Sequence, residues 1–289
     1  MKNTKEMKAK KIEEAVFKVI MIFSSSLILF VLGLIIYSIF EKGLRSLSWE
    51  MITQTPKGGY YYGKEGGVLN AILGSLYLGI GSTVLAMIIG IPVALFMNIY
   101  LIKRKRMLNF IRYLLDLIWG VPSIVYGAFG FTLMVFFGIK TSLMAGIITV
   151  TLFILPIMIR GIDEVLKTVP IGLIETGLSL GSTKTETSFR IVLKQCYSGV
   201  VTAVLLSFGR AIGDAASVLF TAGYTDNIPT GLSEPVATLP LSIFFQLSSP
   251  VPEVQQRAYS SAVILTVLIL MISLSSRALS KRYHKNRIS

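Results

Sequence analysis

The stretch from Ser207 to Phe220, SFGRAIGDAASVLF, holds Arg210 and Asp214 four residues apart inside an otherwise apolar run. On a helix the two side chains share a face. A guanidinium is a planar fork that binds two oxygens of a phosphate or carboxylate at once, so the chemistry open to Arg210 is oxyanion recognition. Asp214 repels an anion unless the anion brings a proton to donate, as hydrogen phosphate does at neutral pH and sulfate does not. Two readings stand: a neutralising i,i+4 ion pair that fixes helix packing, or an anion site in a water-accessible pathway. In the second, Asp214 favours phosphate or restrains Arg210 while the site is empty. Gly209 and Gly213, spaced G-x-x-x-G at the same level, admit a neighbouring helix closely.

Covalent or metal chemistry finds no comparable support. GGYYYGKE, Gly58 to Glu65, fits half of a phosphate-binding loop, but Glu65 stands where a Ser or Thr hydroxyl should meet Mg²⁺. Without a strand leading in and a helix leading out, it reads as a flexible Gly/Tyr loop. Cys196 reads as a small packing residue. His284 lies in a basic tail without ligand partners in the sequence, so no metal site is expected.

The elements that must carry Arg210 and Asp214 are set by composition. The 289 residues are 53% hydrophobic and 15% charged, with mean hydropathy +0.70, too apolar for a soluble domain of this length. A helix needs ~20 apolar residues to cross ~30 Å of hydrocarbon. Uncharged runs from Val19 to Phe40, Val68 to Ile102, Leu117 to Ile139, Thr141 to Ile159 and Ala258 to Ser276 meet that need, and Tyr197 to Ala222 is interrupted only by the Arg/Asp pair. The expectation is an all-α integral membrane protein with six transmembrane helices, at about 16–40, 68–102, 113–137, 141–160, 197–222 and 258–278. The first is expected to be retained, because its run is too long for a signal peptide and no cleavage site closes it.

Lys and Arg collect in cytoplasmic segments. With the N-terminus inside, 21 of the 28 basic residues fall on the cytoplasmic side and six on the other, with Arg210 within a span. Both termini are therefore expected in the cytoplasm. The net charge of +13 then reflects topology beside anionic lipid and calls for no nucleic acid. Arg112 and Asp116, near the cytoplasmic end of the third span, read as an interfacial ion pair. WGVPSIVYGAFGF, Trp119 to Phe131, loads that span with Gly, Pro and Ser, consistent with tight packing or with a core that changes shape. PVATLPLSIFFQL, from Pro235, is too short to cross and reads as a re-entrant or interfacial helix.

The segment Gly161 to Lys194 is longer and more polar than a hairpin needs. Ile171, Ile174 and Leu178 place one apolar face on a short surface helix, which suits it to dock a partner. Here Glu175, Gly181, Ile191 and Leu193 fall on a pattern that resembles the cytoplasmic loop of permease subunits of ATP-binding-cassette importers. In that family Glu-Ala-Ala is followed after three residues by Gly and after nine more by Ile-x-Leu-Pro. Thr176 and Gly177 replace the alanines and Lys194 the proline. The resemblance narrows to the phosphate-importing branch through GGVLNAILGSLYL (Gly66 to Leu78), VPSIVYGAFGF (Val121 to Phe131), GRAIGDAA (Gly209 to Ala216), and TAGYTDNIP with PVATLPLSIF (Thr221 to Pro229, Pro235 to Phe244). That branch usually carries Glu at the place of Asp214.

The resemblance implies a MetI-like permease core over 66–280, preceded by a tail (1–15) and a first helix with its extracytoplasmic loop (16–65), and followed by a basic tail (281–289). It implies a pathway lined by Arg210, Asp214, Ser123 and Tyr126, and a coupling loop at about 161–194 whose Glu175, Gly181 and Ile191 meet an ATPase. Implied partners are a second permease subunit, an ATPase dimer that holds ATP and Mg, and an extracytoplasmic phosphate-binding protein received near Asp226 and Glu234. This chain would be no enzyme and would bind no cofactor. The rival cargoes are sulfate or molybdate, and the rival identity is the partner phosphate permease. A self-contained secondary transporter would need inverted repeats and its own coupling-ion carboxylates, and neither is evident.

Overall fold

The computed structural model describes residues 2–57 and 65–284. Gly58 to Lys64, most of the stretch read as a flexible loop, lies outside the described residues. Among the described residues, four helices are long and apolar enough to cross a membrane, and up to six spans result if each sharply bent helix pair counts as one. Backbone groups in hydrocarbon must be satisfied within the segment, which is why the long uncharged runs become helices.

Helix α1 (Lys2–Gly43) is followed by a short α2 (Trp49–Thr53) and a two-residue hairpin pairing β1 (Pro56–Lys57) with β2 (Glu65–Gly66). Next come α3 (Leu69–Ile99), α4 (Lys105–Trp119), α5 (Ser123–Phe137) and α6 (Leu143–Leu166). A surface segment then holds α7 (Ile171–Ser179), α8 (Lys184–Glu186), a π-helical turn (Thr187–Val192) and α9 (Leu193–Gln195). The chain returns through α10 (Tyr197–Gly213), a long irregular stretch, α11 (Leu239–Leu247) and α12 (Pro252–His284).

The centre of the molecule is the α3–α6 pair, flanked by α10, with α12 packed on α10 and α11. Its interior is lined by Leu78, Val150, Ile154, Met158 and Ile162. Helix α1 packs on α12, where Ser260 Oγ donates to the Gly43 carbonyl at 2.6 Å. Its apolar stretch is otherwise uncovered by the chain.

Two expected spans are not single helices. The third breaks at Gly120–Pro122, where the axis turns by 91° between α4 and α5. Pro122 cannot donate to the Ile118 carbonyl four residues earlier, and the Tyr126 hydroxyl (2.7 Å) and the Val121 N–H (3.2 Å) donate to that carbonyl instead. The fifth ends as a helix at Gly213, so residues 214–222 of the expected span are turns and extended backbone. The two interruptions pack together: a Cβ on Gly127 of α5 would lie 2.7 Å from the Ala216 carbonyl oxygen, so only glycine permits this approach.

The apolar stretch from Pro235 forms a helix too short to cross, with one side buried and Phe244, Phe245 and Leu247 exposed on the other. Leu239, Pro240, Leu241, Ser242 and Gln246 of α11 are buried. The irregular chain leading into it is stitched to the first half of α3. Asn70 donates to the Thr225 carbonyl at 2.7 Å, Ser75 accepts from the Leu239 N–H at 2.8 Å, and Gly74 lies against the Ala237 carbonyl. The GGVLNAILGSLYL stretch thus works as a docking face for non-helical backbone, which membranes tolerate only inside protein.

Candidate functional site

Arg210 stands in the last turn of α10, where a cation also complements the helix dipole. Its guanidinium carbon lies over the Phe153 ring, 5.2 Å from the centroid. Phe153, on α6, is buried, and its ring meets Tyr126 edge-on at 5.7 Å. Tyr126 is in turn anchored to the Ile118 carbonyl across the break between α4 and α5. Ser123 is the first residue of α5 and is half-buried. The helix start it occupies has no side-chain cap. The structure therefore gathers Arg210, Tyr126 and Phe153 into one cluster, at the place where two interrupted spans meet.

Asp214 does not pair with Arg210. The helix ends before it, its backbone is extended (φ −88°, ψ 126°), and its Oδ2 accepts from the Ser217 N–H at 2.8 Å. The expectation of an i,i+4 ion pair, and of Asp214 restraining Arg210, is corrected: residues four apart share a face only while the helix continues. Among the described residues, Arg210 has no acidic partner within 4.0 Å. Gly209, beside it, faces open space.

The Arg112–Asp116 pair is corrected as well. Asp116 binds Arg160 at 2.7 Å, while Arg112 reaches Asp163 through Nη2 at 2.8 Å and Nε at 3.0 Å. Asp163 is fully buried and also accepts from Arg160 Nη1 (2.7 Å) and Asn98 Nδ2 (2.8 Å), with Lys167 Nζ at 3.4 Å. A buried carboxylate demands full pairing, whereas half-exposed Asp116 does not, so Arg112 goes to Asp163. This hub joins α3, α4 and α6. Sequence reading missed it because Asp163 fell in the segment taken as surface loop; the only local signal is a carboxylate between Arg160 and Lys167, at i−3 and i+4.

In the segment after α6, Glu175 is exposed on α7. Gly181 has φ +88° and terminates α7 in a Schellman motif: its N–H bonds the Leu178 carbonyl at 3.1 Å, and the Ser182 N–H bonds Gly177 at 3.2 Å. Ile191 turns inward, its Cδ1 2.6 Å from where a Cβ on Gly177 would lie. The three motif residues thus have separate structural settings: an outward charge, a left-handed helix stop, and a packing anchor. Thr183 and Glu186 form a capping box, and the hydrogen bonds from the Thr183 backbone and hydroxyl hold the Glu186 carboxyl below its ordinary range. Of the expected apolar face, Ile171 and Leu178 are exposed while Ile174 packs inward, and Leu180 adds an apolar side chain 83% exposed. Gly181→Ala is expected to cost about 1–2 kcal/mol by forcing a Cβ into left-handed backbone. Gly172→Ala, at an open helical position, should be neutral or better. Thermal unfolding of the two purified variants in detergent compares them directly.

In the 214–238 stretch, Glu234 accepts from the Thr230 N–H and hydroxyl at 2.7 and 2.8 Å, which holds its carboxyl low, while burial pushes that of Asp226 up.

Comparison with known proteins gives a consistent family. Residues 90–285 match the model for the binding-protein-dependent transport system inner membrane component. The phosphate transport system permease protein PstA of Yersinia pestis is 34% identical over 260 residues, covering 89% of this chain and 86% of that protein. The protein of the same name from Haemophilus influenzae is 32% identical over 254 residues, covering 86% and 87%. Among solved structures, the MetNI methionine ABC transporter in inward-facing conformations aligns with a TM-score of 0.60 at 17% identity, covering 75% of this chain and 95% of that one, which shows a shared fold. With its apolar helices and MetI-like architecture, the chain belongs to the binding-protein-dependent transport system inner membrane component family of multi-pass ABC permease subunits.

Proposed function

We propose that this chain is the PstA-type permease subunit of an ATP-driven phosphate importer. The observation that carries the reading is Arg210, a guanidinium without an acidic partner among the described residues, at the meeting point of two interrupted spans. An intramembrane arginine is costly, ~2.5–3.5 kcal/mol on insertion scales, and such residues mark pathways. Its fork suits a tetrahedral oxyanion, and the PstA names of the relatives favour phosphate. Asp214, whose Oδ2 accepts from the Ser217 N–H, can accept the O–H of hydrogen phosphate at its other carboxylate oxygen. In this reading Ser123 and Tyr126, in the first turn of α5, complete the lining of the path.

In this reading a PstC-like permease packs on the face that Gly209 leaves open. Both termini, the basic 103–112 stretch and the 161–194 coupling loop face the cytoplasm. A PstB-like ATPase dimer carrying ATP and Mg docks on Glu175 and its surroundings, this chain binding no cofactor itself. A PstS-like phosphate-binding protein is received on the opposite side, near Asp226 and Glu234. The permease region covers 66–280, with 1–15 and 281–289 as tails and 16–65 as an added helix and loop. Movement of the coupling loop on ATP binding and hydrolysis switches the path between outward and inward access.

The test is ATP-dependent uptake of labelled phosphate into vesicles bearing the whole assembly, with excess sulfate as competitor. Uptake that resists sulfate supports the reading. An active assembly that takes up sulfate or molybdate instead of phosphate overturns the cargo.

A further inference from the structure

We propose that Phe153 is a positioning residue for the anion site: its buried ring holds the Arg210 guanidinium in place while leaving every N–H of that group available to the oxyanion. The inference rests on the reading of Arg210 as the anion-binding group and adds the part of the site that orients it.

A guanidinium in a membrane needs a partner. The usual partner, a carboxylate, would occupy its donors and repel the arriving anion. Asp214, the carboxylate next along the chain, is turned away to cap its own turn. An aromatic ring attracts the cation through its quadrupole and accepts no strong hydrogen bond, so the five donors of Arg210 remain unspent. The 5.2 Å separation from the Phe153 centroid lies within the range of that attraction.

The ring is itself fixed. Phe153 is 3% exposed, and Tyr126 packs edge-on against it at 5.7 Å with its hydroxyl tied to the Ile118 carbonyl. A continuous set of contacts therefore runs from the α4–α5 break, through α6, to the end of α10. Nothing in the sequence marks Phe153 as part of the site: it sits in TLFILP, an unremarkable apolar run.

The experiment is chemical modification of Arg210 by phenylglyoxal, followed by mass spectrometry on the purified whole assembly, with and without inorganic phosphate. Wild type, Phe153→Leu, Phe153→Met and Phe153→Tyr are compared. The expected result is a several-fold faster basal modification of Arg210 in Phe153→Leu. The phosphate concentration giving half-protection should also rise about tenfold, equivalent to about 1.4 kcal/mol. Phe153→Tyr, which keeps the ring, should restore both values, whereas Phe153→Met, which fills the space without a ring, should behave like Phe153→Leu, a contrast that a simple packing defect would not produce. Equal basal rates and equal protection in wild type and Phe153→Leu would overturn the role of Phe153 while leaving the anion site standing. Absence of phosphate protection in wild type would instead overturn the anion site, and with it the purpose assigned to the ring; the basal rates would still report whether the contact exists.

Discussion

Arg210→Ala is expected to lower ATP-dependent phosphate uptake by at least about a hundredfold, with the assembly still formed. Hydrogen bonds to charged groups contribute about 1.5–3 kcal/mol each, and a bidentate contact provides two, so the loss spans about two orders of magnitude or more. Assembly should survive because Arg210 is exposed within this chain and, among the described residues, has no acidic partner to leave stranded. Arg210→Lys should recover only part of the rate, since an ammonium keeps the charge but loses the planar fork. The measurement is initial uptake of labelled phosphate in vesicles matched for the amount of assembled complex. Uptake within a fewfold of wild type in Arg210→Ala would mean that the anion passes elsewhere.

The largest stability effect is expected at Asp163. Removing its carboxylate in Asp163→Ala leaves Arg112 and Arg160 with an uncompensated charge in a partly buried site, a situation that typically costs about 3–5 kcal/mol. Arg160 retains Asp116 at 2.7 Å and Lys167 retains Glu164 at 2.7 Å, so Arg112 bears most of the loss. A double change, Arg112→Met with Asp163→Leu, removes both charges and should regain most of the stability, because buried ion pairs exchange for apolar packing at little net cost. Thermal unfolding of the purified assembly in detergent provides the comparison. If Asp163→Ala melts with wild type, the hub is not holding α4 to α6.

Much of this was legible along the chain. The apolar helices follow from uncharged runs of sufficient length, a criterion local to each segment, and among the described residues the four long helices and the two bent pairs fall on those runs. The family motif could be recognised, and the structure now gives its glycine a reason in the left-handed stop of α7. The helix breaks were harder to read. Pro92 and Pro156 sit inside continuous helices, whereas Pro122 ends one. What differs is nearby but shows only in three dimensions: Gly120 precedes Pro122, and the hydroxyl of Tyr126, on the next helix, folds back to the Ile118 carbonyl. The Asp163 hub was invisible because its partners Arg112 and Asn98 are 51 and 65 residues away. Phe153 was hidden because a buried aromatic in a membrane run looks the same whether it faces lipid, a neighbouring helix or a cation.

Helix α6 runs unbroken from Ser142, its N-cap, to Leu166 and leads directly toward α7. It carries Phe153 in one half and Asp163 in the other. In mechanical terms α6 is a rod between two joints, clamped at Asp163 and loaded at its end. Ten residues separate Asp163 from Phe153, about 15 Å at 1.5 Å per residue, so a tilt of about 10° at the clamp would swing Phe153 by about 2.6 Å. A displacement of that size is half the present distance between the ring and Arg210. A force applied at the surface segment would thus reach the guanidinium as leverage, with α6 repacking against α3 and α10 as it tilts.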